Sequence, residues 1–224
     1  MLERLSKVAL EVKYLDRAKR VYVDQLDLSM LSETATEVEL EVGNEVLVLR
    51  RPEPVPRGGV HVHFAFSTPT AEYADWWNAL EASYHLEEHV FGASKSLYFH
   101  DPDDHCVEIG QRPTSGSGLT GIFEVVLEVE SLPLAERFYR ALGFEPIDRG
   151  EGRRRVRLDG PVALELWEPQ LGLADARGGV HMDLEFIGSR QIPEPVRERA
   201  QSITHLDDGI RIRCPDGHYL TIWE

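Results

Sequence analysis

Residues 7–22, KVALEVKYLDRAKRVY, and residues 124–139, EVVLEVESLPLAERFY, are two copies of one pattern. Each opens with the alternation of a half-buried strand and runs into the 3.6-residue spacing of an amphipathic helix. Ala18 and Ala135, Arg20 and Arg137, and Tyr22 and Tyr139 coincide at a constant offset. A second echo follows downstream, Gly58-Gly59-Val60-His61 against Gly178-Gly179-Val180-His181. A third is Asp101-Pro102-Asp103-Asp104-His105 against Cys214-Pro215-Asp216-Gly217-His218. Three matches in one order mark a duplication. Its halves are 1–113 and 119–224, joined by the polar Gly/Ser stretch at 113–118.

Within each half the pattern repeats more weakly. Residues 5–13 alternate as a strand, 15–26 have helical spacing, and 36–50 predict a hairpin around Gly43-Asn44. Residues 60–66 predict a strand, 70–84 a helix, and 96–99 and 105–110 two strands flanking a Pro-Asp turn. The chain therefore reads as an α+β protein of four similar strand–helix–strands modules.

Composition narrows the function classes. With 224 residues, 42% of them hydrophobic, the chain can bury a substantial core. Acids outnumber bases by 39 to 24, a net charge of −15, which repels nucleic acid and anionic lipid. No apolar run approaches the roughly 18–20 residues of a spanning helix, and the charged N-terminal stretch does not read as a signal peptide. Two cysteines, Cys106 and Cys214, are too few for a disulfide framework or a thiolate zinc site. The expectation is a cytoplasmic protein with reduced thiols. Only Lys7, Lys13, Lys19 and Lys95 are lysine among 24 basic residues, which fits a halophilic, salt-adapted surface or an arginine-biased genome.

The strand-then-helix pairs, the strand HVHFAF at 61–66, YFHDPDDHCVEI at 98–109 and CPDGHYLTI at 214–222 resemble the vicinal oxygen chelate superfamily. That superfamily includes glyoxalase I, extradiol dioxygenases, fosfomycin-resistance enzymes and bleomycin-resistance binding proteins. The resemblance implies two tandem domains, each of paired βαβββ modules whose curved sheets form a cup. It also implies metal-ligand positions on the first and last strand of each module. Carried onto this chain, they are Lys7, Val48, His63 and Glu108 in the first half, and Glu124, Glu165, Asp183 and Thr221 in the second.

Among the first four, only His63 and Glu108 match. His61-Val62-His63 places two imidazoles on one strand face, so His61, His63 and Glu108 form a two-histidine, one-carboxylate set suited to a divalent Fe, Mn, Ni or Zn. Such an ion would chelate neighbouring substrate oxygens in a lyase, isomerase or ring-cleaving dioxygenase. The alternative is a metal-free small-molecule binding protein of the bleomycin-resistance type. Lys7 is a candidate substrate-binding cation, able also to pair with Glu108, and Tyr98 a candidate substrate-binding hydroxyl. The second-half carboxylates either hold a hard cation or belong to a structural copy. His105 and His218 read as turn-stabilising, Trp76, Trp77 and Tyr84 as packing, and Arg153-Arg154-Arg155 as a solvated charge run.

Overall fold

The computed structural model describes residues 2–52, 62–152, 154–169 and 182–224. His61, Arg153 and the Gly-Gly-Val-His echoes at 58–61 and 178–181 lie outside them.

Four βαβββ modules follow one another along the chain. The first is β1 (Leu2–Glu11), α1 (Leu15–Lys19, prolonged by a π-helical turn over Arg20–Gln25), β2 (Ser29–Glu33), β3 (Glu37–Val42) and β4 (Glu45–Arg50). The second is β5 (Val62–Pro69), α2 (Tyr73–Leu80), β6 (Glu87–Phe91), β7 (Ser94–His100) and β8 (Cys106–Arg112). The third is β9 (Gly121–Glu128), α3 (Leu132–Ala141), β10 (Glu145–Arg149), β11 (Arg155–Asp159) and β12 (Ala163–Trp167). The fourth is β13 (Asp183–Gly188), α4 (Glu194–Arg197), β14 (Ser202–His205), β15 (Gly209–Arg213) and β16 (Tyr219–Trp223). The strands that the sequence pattern left unread, β2 and β6, sit at sheet edges and are exposed along their whole length. Without a buried face they carry no alternation to read.

The strands form two eight-stranded sheets, in the orders β14-β15-β16-β13-β1-β4-β3-β2 and β10-β11-β12-β9-β5-β8-β7-β6. This corrects the expectation that each half closes its own cup. The first module pairs with the fourth, through antiparallel β1 and β13, and the second pairs with the third, through antiparallel β5 and β9. Each sequence repeat thus gives one module to each sheet.

One hydrophobic cluster joins the sheets. Val8, Leu10, Leu47 and Leu49 of the first sheet share it with Phe64, Phe66, Val107 and Ile109 of the second, and with Leu15, Ala18 and Tyr22 of the first helix. Each fully buried Phe or Leu contributes about 1.5–3 kcal/mol relative to exposure, so this layer dominates stability. The alternate positions on the same strands face away from it. Trp76 and Trp77 pack partly buried against the cluster, and Trp76 Nε1 donates to Thr68 Oγ1 at 2.9 Å.

The repeat is also legible across the seam between modules. Tyr22 donates its hydroxyl to Asp101 Oδ2 at 2.8 Å, and its counterpart Tyr139 hydrogen-bonds Cys214, the counterpart of Asp101. Asp101 further accepts the backbone N–H of Asp103 and of His105, and bonds His105 Nδ1, each at 2.9 Å. These bonds close the Pro-Asp turn around a fully buried His105. Asp104 and Gly217 occupy equivalent left-handed positions, with φ of +66° and +88°. Asp tolerates this conformation and Gly adopts it freely.

Candidate functional site

Residues directly opposite each other on paired strands share a sheet face. On β5 and β8, His63 stands beside Cys106 and Ala65 beside Glu108. On β5 and β9, Ala65 stands opposite Glu124, and on β9 and β12, Val126 stands beside Glu165. His63, Glu108, Glu124 and Glu165 therefore share the outward face of the second sheet, where they line a cavity of about 740 Å³ with Tyr98 and Trp167. The sequence reading split these four between two cups because it paired modules within each half.

The cup has two chemically different sides. On the second-module side, His63 Nε2 lies 3.3 Å from Glu108 Oε2, with Glu108 almost wholly buried. Burial opposes the Glu108 charge, but the hydrogen bond and charge of His63 outweigh it and hold the carboxyl below the usual range. Burial and the neighbouring Glu108 push the Tyr98 hydroxyl well up, so it remains a neutral donor. Burial also raises the Cys106 thiol to about 12, which leaves it unreactive as a nucleophile.

On the third-module side, arginines from β11 cover the acids. Arg157 ion-pairs with both Glu124 and Glu165, the latter at 3.3 Å. Arg155 pairs with Glu165 at 2.7 Å and with Asp148, and Trp167 Nε1 donates to Glu165 Oε2 at 2.9 Å. Burial, with the adjacent Glu165 charge, raises the Glu124 carboxyl to about 8 despite Arg157. The solvated charge run read at 153–155 is thereby corrected at Arg155, which alternation on β11 turns into the cup with Arg157.

The donor set answers the question of a metal. Divalent Fe, Mn, Ni or Zn takes three or more protein ligands, deprotonated and free to point at the ion. His63 and Glu108 supply two side chains of a type that such an ion binds. Glu124 and Glu165, the remaining two positions of the cup, have guanidinium groups where a cation would sit. Among the described residues no three His, Cys, Asp or Glu side chains converge to hold an ion. The described donors therefore do not fit a resident transition metal. His61, the third member of the expected set, lies outside the described residues.

The other expected positions fall on the first sheet. Lys7 is ion-paired with Glu39, so its expected pairing with Glu108, on the other sheet, is corrected. Val48 and Thr221 are buried, and Asp183 is held by Arg50 and by Arg211, the latter at 2.8 Å. A second cavity of about 580 Å³ opens there, lined by Glu11, Arg50, Arg51, Asp183, Arg211 and Tyr219 among others, and not by Lys7. The expected second-half set is dispersed accordingly: Glu124 and Glu165 line one cup, while Asp183 and Thr221 stand on the other sheet.

Two eight-stranded sheets built from four βαβββ modules, each hollowed on its outer face, define the vicinal oxygen chelate fold. Solved structures bear this out. Over 99% of its length the chain matches glyoxalase I from Zea mays, with a TM-score of 0.72, 18% identity and 92% of that chain covered. It also matches a candidate dioxygenase from Bacillus subtilis subsp. subtilis str. 168, with a TM-score of 0.75, 14% identity and coverage of 99% and 85%. At these identities the likeness is one of fold. No family model matches the sequence. No curated protein matches it either. No helix among the described residues is long and apolar enough to cross a membrane.

Arg112, Arg155, Arg157 and Trp167 are among the cup residues that sequence reasoning missed. The available signal was alternation: Arg112 follows Glu108 by two alternations of the same strand, and Arg155 and Arg157 straddle Val156 on β11.

Proposed function

We propose that the protein binds and acts on a small organic molecule in the cup formed by the second and third modules, without a resident transition metal. The observation that carries this reading is the seating of the Arg157 and Arg155 guanidinium groups on Glu124 and Glu165, which gives half of the cup to internal contacts. The working half is then His63, Glu108 and Tyr98. An ionised Glu108 beside His63 orients the imidazole, and the neutral Tyr98 donates a hydrogen bond. Such a set can hold a bound ligand by hydrogen bonds and exchange a proton with it.

The second reading is the divalent-metal lyase, isomerase or dioxygenase, favoured by one observation, the 3.3 Å approach of His63 to Glu108. That pair is compatible with two ligands of an ion completed by His61 or by solvent. Elemental analysis of the protein purified without chelator, beside His63→Ala, separates the two. The metal-free reading expects no stoichiometric transition metal in either protein. About one equivalent lost with His63 would establish the chelate reading instead.

A further inference from the structure

Among the described residues, one guanidinium of the cup makes no ion pair with a carboxylate. Arg155 and Arg157 are committed to Asp148, Glu124 and Glu165. Arg112, at the end of β8, also lines the cavity, yet no described carboxylate lies within ion-pair distance of it, and its Nη1 donates only to the carbonyl of Gln111 at 2.9 Å. A guanidinium carries five N–H donors in a planar fork, so most of this fork is available.

Its placement is built. On β8, Cys106, Glu108, Gly110 and Arg112 alternate onto the cup face. The register between β5 and β9 shifts between Ala65 and Phe66, a bulge that adds Phe123 beside Glu124. The Phe123 ring then fills the space above Gly110, where a Cβ would come within 2.9 Å of the ring. The guanidinium of Arg112 lies over that ring, 3.7 Å from its centroid. Gly110 admits the ring, the ring supports the arginine, and the arginine faces the cavity half-buried.

We propose that Arg112 is the docking cation of this cup and that it takes the carboxylate of an organic monoanion, whose apolar or aromatic body lies towards Tyr98 and Trp167. The proposal rests on the reading of this cup as the ligand site. A planar carboxylate matches the guanidinium fork with two parallel hydrogen bonds. Glu108, ionised on the same strand face, repels a phosphate dianion more than a monoanion and selects for the smaller charge. Burial disfavours the Arg112 charge and outweighs the more distant Glu108 and Glu124, and a bound anion relieves that cost.

The test uses the full chain and three matched pairs: benzoate, phenylacetate and 3-phenylpropionate, each with its primary amide, titrated calorimetrically at low salt and pH 7. Wild type, Arg112→Gln and Arg112→Lys are compared, with thermal melting to establish that each variant folds. The expected result is that at least one acid binds wild type about tenfold or more tighter than its amide, the strength of a bidentate charged pair. Arg112→Gln removes that preference while the amide's affinity stays unchanged, and Arg112→Lys keeps only part of it. Equal binding of acid and amide, or a preference that survives Arg112→Gln, would overturn the role of Arg112 and leave the ligand cup standing. No binding of any pair would overturn the reading of the cup as a site for such molecules.

Discussion

Ala65 on β5 stands directly opposite Glu124 on β9. That single pairing joins the two halves of the duplication in one sheet and brings His63 and Glu108 to the same cup as Glu124 and Glu165. Residues that chemistry needs together come from modules adjacent in sequence but separated by the boundary of the repeat.

Glu124 gives the first prediction. Its carboxyl, raised to about 8 by burial and then by Glu165, binds a proton in the folded protein that the unfolded chain releases near its ordinary value of 4.5. The unfolded state therefore holds fewer protons between those values, and stability falls as pH rises through that window. Glu124→Gln removes the titration. Urea unfolding should find the variant more stable than wild type by on the order of 2–4 kcal/mol at pH 8, the gap shrinking towards pH 5. A constant gap across pH would contradict the assignment.

The Asp101–His105 pair titrates in the opposite sense at each end. Burial works against both charges, but each partner's charge and hydrogen bond prevail, lowering Asp101 and raising His105. The depressed Asp101 contributes stability above its unfolded value, lost as pH falls through the folded one. The raised His105 contributes stability below its unfolded value, lost as pH rises through the folded one. The pair is fully effective between about pH 4 and 6.5. His105→Ala should cost about 3–5 kcal/mol at pH 5.5 and less at pH 9, because it leaves Asp101 buried without its partner.

Gly43 closes the β3–β4 hairpin at φ +62°, and a Cβ there would run into the carbonyl of Thr120. The left-handed conformation alone costs a non-glycine residue about 1–3 kcal/mol. Gly43→Ala should therefore lower the melting temperature by about 2–4 °C for each kcal/mol lost, with the backbone contact adding to the drop. A variant melting with wild type would show that the turn relaxes freely.

Gly110→Ala probes the support of Arg112. The new Cβ would meet the Phe123 ring, on which the guanidinium is seated, and Ser96 Oγ, each at 2.9 Å. Calorimetry should find acid binding weakened several-fold and amide binding held. Equal weakening of both would indicate general damage to the cup.

Much of the fold was legible in residues with a period. The strand–helix pairs at 7–22 and 124–139, the Gly43-Asn44 hairpin and the two Pro-Asp turns all appear where their patterns place them. Strand pairing was not legible, because alternation fixes which face a residue takes and not which strand lies beside it. For that reason His63, Glu108, Glu124 and Glu165 were each identified, but Lys7 was placed in the cup with His63 and Glu108, and the acids apart from it. The role of the arginines was hidden for the same reason: Arg155 and Arg157 acquire meaning only once β11 lies beside β12.

The central claim is a ligand cup that works without a resident transition metal. It is tested most directly by metal analysis of chelator-free wild type, paired with calorimetry of the preferred carboxylate before and after treatment with EDTA. The account predicts no stoichiometric Fe, Mn, Ni or Zn and unchanged affinity. About one equivalent of metal per chain, with binding abolished by EDTA and restored by that metal, would contradict it.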